Sequence, residues 1–69
     1  MRLRILKLNN NGINDAITEI IQKGLQFNET ITQLDLSQNR IGARGAAMLG
    51  DLLEVTVPLR ILDLSWNPL

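Results

Sequence analysis

The chain has 69 residues, seven Lys and Arg balanced by seven Asp and Glu, and neither cysteine nor histidine. The balanced charge excludes an overall electrostatic fit to nucleic acid or to an anionic membrane surface. Without thiols or imidazoles there is no disulfide staple, no Ser–His or Cys–His nucleophile pair, and none of the usual ligands of a zinc site.

This length allows one small domain with a modest buried fraction. No apolar run approaches the ~20 residues of a membrane helix, and Met1 leads into strand-like sequence with no signal peptide. The absence of cysteine fits an intracellular, cytoplasmic protein. Catalytic residues, metal ligands and cofactors are not expected.

The first predicted strand lies in LRILKLNNNGI (Leu3 to Ile13), where the Leu-x-Leu alternation of Leu6 and Leu8 puts both on one face. Arg2, Arg4 and Lys7 give this segment a basic start, read as exposed strand-flank residues. After Asn11 the period changes. Ile17, Ile20, Ile21, Gly24 and Leu25 fall at i, i+3, i+4, i+7 and i+8, the apolar stripe of an amphipathic helix. Asn14 or Asp15 is suited to cap it. Phe27 is expected to supply an apolar residue to the return loop. Asn28-Glu29-Thr30 matches a glycosylation sequon, but the same residues suit the approach to a strand, and the structural reading is preferred.

ITQLDLSQNRI (Ile31 to Ile41) then repeats the first segment 28 residues later, and LRILDLSWNPL (Leu59 to Leu69) repeats it again after a further 28. The anchors coincide: Leu6, Leu34 and Leu62; Leu8, Leu36 and Leu64; Asn11, Asn39 and Asn67. Gly45, Met48, Leu49, Leu52 and Leu53 reproduce the stripe of the first helix. Gly42 and Gly45 leave the second helix start open to a tight turn, Val55 corresponds to Phe27, and Pro58 prevents the helix from running into the third strand. GARG (Gly42 to Gly45) lacks the Gly-Lys-Ser/Thr ending of a phosphate loop.

A fixed period of this length means stacked repeats, here 3–30, 31–58 and a partial third at 59–69. Each complete unit is strand, loop, helix, loop, which places the strands parallel with the helices on one side. Ile17 is expected to face the Gly45 position and Gly24 to face Leu52, giving close helix packing at both points. The asparagines at the turns are expected to bond backbone groups that the ladder leaves without partners.

With the leucines inward, the opposite sheet face has three columns: Ile5, Gln33 and Ile61; Lys7, Asp35 and Asp63; Asn9, Ser37 and Ser65. Strands ~4.8 Å apart make Asp35 and Asp63 neighbours. A polar row meeting water or a partner is the preferred reading over an acid–base pair. Trp66 follows this face in the column of Asn10 and Gln38. It is either an interface residue or a cover for the end of the core.

The pattern L-x-x-L-x-L-x-x-N-x-L/I resembles a leucine-rich repeat, and NRIGARGAAMLGDLLE (Asn39 to Glu54) is similar to the ribonuclease-inhibitor-type subfamily. The resemblance covers essentially the whole chain. It implies an α/β leucine-rich-repeat solenoid, a horseshoe segment with a parallel sheet on the concave side and helices on the convex side. It further implies a non-catalytic protein-interaction or scaffold role, alone or in a regulatory solenoid such as a GTPase-activating protein or an innate immune sensor; cytoskeletal and axonemal components share the pattern. The concave columns and Trp66 are then the candidate partner surface, and Asn11, Asn39 and Asn67 are structural. The apolar ends are expected to be covered by further repeats, another chain or self-association.

Overall fold

Leu-x-Leu alternation and the helical stripes resolve into five elements in a computed structural model, which describes residues 3–55 and 58–69. They are β1 (Ile5–Lys7), α1 (Asp15–Leu25), β2 (Gln33–Asp35), α2 (Ala43–Glu54) and β3 (Ile61–Asp63). Arg2, part of the basic start, lies outside the described residues.

The strands form one parallel sheet in the order β1-β2-β3. Its register is the sequence period itself: Ile5 pairs with Gln33 and Gln33 with Ile61, Leu6 with Leu34 and Leu62, and Lys7 with Asp35 and Asp63. Backbone bonds carry the pairing beyond the strands. Thr32 N–H donates to the Arg4 carbonyl (2.8 Å), and beyond the strand Gln38 N–H donates to the Ser65 carbonyl (2.9 Å).

The sheet's leucine face and the helices enclose the core. Leu34, Leu36, Ile41, Leu49 and Leu52 are buried, with Ile13, and Leu6, Leu8, Ile21, Leu25, Leu59, Leu62 and Leu64 pack around them. Burial is deepest in the middle turn because it alone has sheet neighbours on both sides among the described residues.

The turns after the strands depend on asparagine. Asn39 Oδ1 accepts the N–H groups of Asn11 (2.9 Å) and Ile13 (3.0 Å), while Nδ2 donates to the carbonyls of Leu8 (3.1 Å), Leu36 (2.9 Å) and Ser37 (3.1 Å). Asn67 repeats the arrangement one turn on, accepting from Ile41 N–H (3.0 Å) and donating to Leu36, Leu64 and Ser65. Each amide therefore satisfies its own turn and fastens it to the preceding one. The Asn11 side chain, among the described residues, donates only to the Asn9 carbonyl, at the surface.

At the start of α1 the two capping candidates have separate roles. Asn14 is the cap, its Oδ1 accepting Ile17 N–H at 3.0 Å. Asp15 reaches into the next turn, where its Oδ1 accepts the N–H of Gly42, the residue that opens α2, at 2.7 Å. A carboxylate beside that helix start is also favoured by the helix dipole.

Three packing expectations need correction. The neighbours of Gly45 are Asp15 and Ile41, not Ile17: a Cβ there would lie 2.5 Å from Asp15 Oδ1 and 2.7 Å from Ile41 Cγ2. A Cβ on Gly24 would meet nothing within 4 Å, so no close helix contact exists there. The covered side of α1 is marked by buried Thr18 with half-buried Ile21 and Leu25, while Ile17 and Ile20 are exposed. The reason is positional. The flank of α2 that carries Gly45 has α1 against it, whereas the same flank of α1 has no neighbour among the described residues.

The return loops differ too. Phe27 is 82% exposed and Val55 is exposed, so neither fills the loop as expected. Leu25, Ile31 and Leu59 supply the apolar packing there.

Two comparisons test this account by urea unfolding followed by circular dichroism. Asn39→Ala leaves several turn groups without partners and should cost at least about 2 kcal/mol, whereas Asn11→Ala should stay within about 0.5 kcal/mol. Equal losses at the two positions would contradict the bridging role. Gly45→Ala should destabilise by about 1–3 kcal/mol through overpacking, whereas Gly50→Ala, in open space on the same helix, should stabilise by about 0.5–1 kcal/mol.

Candidate functional site

Because the leucines of each strand turn into the core, the intervening residues form the opposite sheet face, and parallel in-register pairing lines them up in rows. Ile5 and Ile61 are 50% and 55% exposed, on either side of half-buried Gln33. In the next row Lys7 and Asp63 are exposed and Asp35 is half-buried between them. The structure thus brings together the first two predicted columns as drawn from the sequence.

The third column is uneven. Asn9 and Ser65 are exposed but Ser37 is buried, so Ser37 supports the face more than it presents one. Its hydroxyl and its N–H both donate to Asp35 Oδ1, at 2.6 and 2.9 Å. Ser65 does the same to Asp63 Oδ1, at 2.7 and 3.0 Å. The two aspartates therefore close the ends of their own strands, each with one oxygen.

At Asp63 the bonds favour the ionised form. The Ser65 hydroxyl, and then its N–H, hold the Asp63 carboxyl below the usual aspartate range. An acid–base pair needs environments that drive two pKa values apart. Exposed Asp63 instead has two donors that keep its charge fixed, so the row reads as a charged surface.

Trp66 lies in the turn after β3 and is 81% exposed, so it does not cover the end of the core. Its φ of +60° matches Asn10 at +56° and Gln38 at +57°, and the turn imposes this left-handed conformation on whichever residue occupies it. Phe27, expected from sequence to supply an apolar residue to the return loop, is the other exposed aromatic. It precedes β2 while Trp66 follows β3, so the two lie toward opposite ends of the parallel strands. No sequence signal distinguishes an exposed Phe27 from a buried one, since Val55 at the equivalent position is also apolar.

The other motifs have structural explanations. Asn28 Oδ1 accepts the N–H groups of Thr30 (2.9 Å) and Ile31 (2.7 Å), shaping the turn before β2. At the GARG segment, the Gly42 N–H that an anion would meet is taken by Asp15. Among the described residues no cluster of three potential metal ligands occurs, and no helix is long and apolar enough to cross a membrane.

Residues 27–50 and 58–69 match the Leucine Rich repeat family. The chain belongs to the leucine-rich-repeat family. It is also similar to the leucine-rich repeat-containing protein 45 of Gallus gallus, at 36% identity over 58 residues, which are 84% of this chain and 9% of that relative. The chain thus spans a small part of the relative's length. No solved structure matches it significantly. Leucine-rich repeats stack into extended surfaces used to bind proteins.

The Ser65–Asp63 bonds give a direct check. Ser65→Ala should raise the Asp63 titration midpoint toward the ordinary aspartate value, as followed by carboxyl carbon NMR. The sign follows from linkage: a depressed folded pKa adds stability above the unfolded value, ~4, and loses it as pH falls through the folded one. An unchanged midpoint in Ser65→Ala, which keeps the backbone N–H bond, would mean that the hydroxyl bond does not lower the Asp63 pKa.

Proposed function

We propose that this leucine-rich-repeat chain is a non-catalytic protein-interaction or scaffold segment of the ribonuclease-inhibitor type, with units 3–30, 31–58 and 59–69, and that its partner meets the exposed sheet face. The observation that carries the reading is the register. It turns three strands into rows of Ile5, Gln33 and Ile61 and of Lys7, Asp35 and Asp63 on a face that no element of the described chain covers. A helix of 11 or 12 residues in each complete unit supports the subtype.

Energetic reasoning favours the sheet face over the helices. Its apolar residues are interleaved with charged ones on strands held by a backbone ladder and two asparagine bridges. A surface already rigid loses little conformational entropy on binding. The serine-bound aspartates supply charge and orientation there, which suits recognition better than proton transfer.

Photo-crosslinking tests the assignment of surface. A photoreactive phenylalanine analogue at Gln33 should crosslink to bound protein, and the same group at exposed Ala47 on α2 should not. Crosslinks from position 47 alone would move the binding surface to the helices.

A further inference from the structure

Folding does not explain the presence of Trp66 in the turn after β3. At φ +60° it occupies the left-handed turn position held by Asn10 and Gln38 in the other units. Asn suits that position because its short polar side chain can bond locally, whereas a bulky residue there is an outlier. With 81% of its surface exposed, the indole recovers almost no burial energy to offset the unfavourable backbone. Strain observed without a stability return points toward function.

Its surroundings indicate the kind of partner. Three residues earlier, Asp63 uses Oδ1 for both Ser65 donors, and no bond occupies Oδ2 among the described residues. The Ser65 bonds keep that carboxylate ionised. Asp35 stands beside it in register and likewise commits Oδ1 to Ser37. Lys7 is the register neighbour of Asp35, yet among the described residues the only ion pair is Lys23–Glu19 on α1, so neither aspartate is neutralised. At ~4.8 Å between strands, one guanidinium can approach both carboxylates.

We propose that Trp66 and Asp63, with Asp35 beside it, form a subsite for a cationic side chain of the bound protein, an arginine in preference to a lysine. The guanidinium is planar, stacks on an indole and presents several donors to a carboxylate, whereas an ammonium offers only a point charge. Exposed Ile61, adjoining Asp63 in β3, provides apolar surface for the stem or for a neighbouring apolar residue. The inference rests on the sheet face being the binding surface.

The test uses the whole 69-residue chain and two probes, the acetylated and amidated tripeptides Leu-Arg-Leu and Leu-Glu-Leu, titrated to their solubility limit under amide NMR. Leu-Arg-Leu should move the Trp66 indole N–H and the Ser65 amide, and Leu-Glu-Leu should not. Asp63→Asn keeps an acceptor for Ser65 while removing the charge, and should weaken the Leu-Arg-Leu effect about fivefold. Lys7→Glu should strengthen it.

Trp66→Asn should abolish the Ser65 amide shift while leaving the thermal midpoint unchanged or higher, since Asn accepts the left-handed turn. A lower midpoint would mean that the indole is structural and would overturn the inference. Sheet-face shifts of equal size with both peptides, or none with Leu-Arg-Leu, would overturn it too. Concentration-dependent broadening at Trp66 without peptide would do the same, by placing a second copy of the chain on the face. Shifts confined to α1 and α2 amides would instead overturn the sheet-face reading itself.

Discussion

The structure depends on satisfying the backbone groups exposed where each strand leaves the sheet. The strands span only three residues, so the ladder soon gives way to a turn whose N–H and C=O groups lie beside the core. Buried groups of this kind are costly when unpaired. One amide side chain, with an acceptor and two donor hydrogens, meets the need at Asn39 by joining two successive turns through five bonds. No aliphatic residue could do so, and a shorter hydroxyl has too few groups to span both turns. With the turns held, Ile13 and Ile41 are directed into the core that the leucines begin.

A second coupling operates between the helices. Asp15 bonds the residue that opens α2, and Gly45 leaves the space that its carboxylate occupies. Successive units are thus joined at two levels, by amides behind the sheet and by a carboxylate at the helix starts. This accounts for an ordered stack in a chain with no disulfide and a small core. It also frees the other sheet face from structural duty. The aspartates there serve mainly their own strand ends, and Trp66 adds exposed aromatic surface where the fold does not require it.

Much of this was legible in the sequence. The period of 28 fixed the pairing of Leu6, Leu34 and Leu62 and hence the register, because in-phase copies of a strand motif can pair in parallel only by the repeat length. The turn bonds of Asn39 and Asn67 follow from the same repetition, whereas the Asn11 side chain bonds only the Asn9 carbonyl among the described residues. The helix faces were less so. Ile17 and Ile20 belong to a well-formed apolar stripe, yet both are exposed. Periodicity specifies which residues share a face, while exposure depends on what lies against that face.

The sequence alone determined the unit length, the alternation of strand and helix, the inward leucines and the rows of the opposite face, since these follow from local periodicity and from repetition. The tertiary structure decided that Asp15 serves the next turn instead of capping its own helix, that Ser37 is buried while Ser65 is not, and that Phe27 and Trp66 stand in solvent. Those outcomes turn on contacts between units distant in the chain. Equivalent positions in a repeat share a backbone conformation, but their neighbours differ between the middle of the stack and its edges.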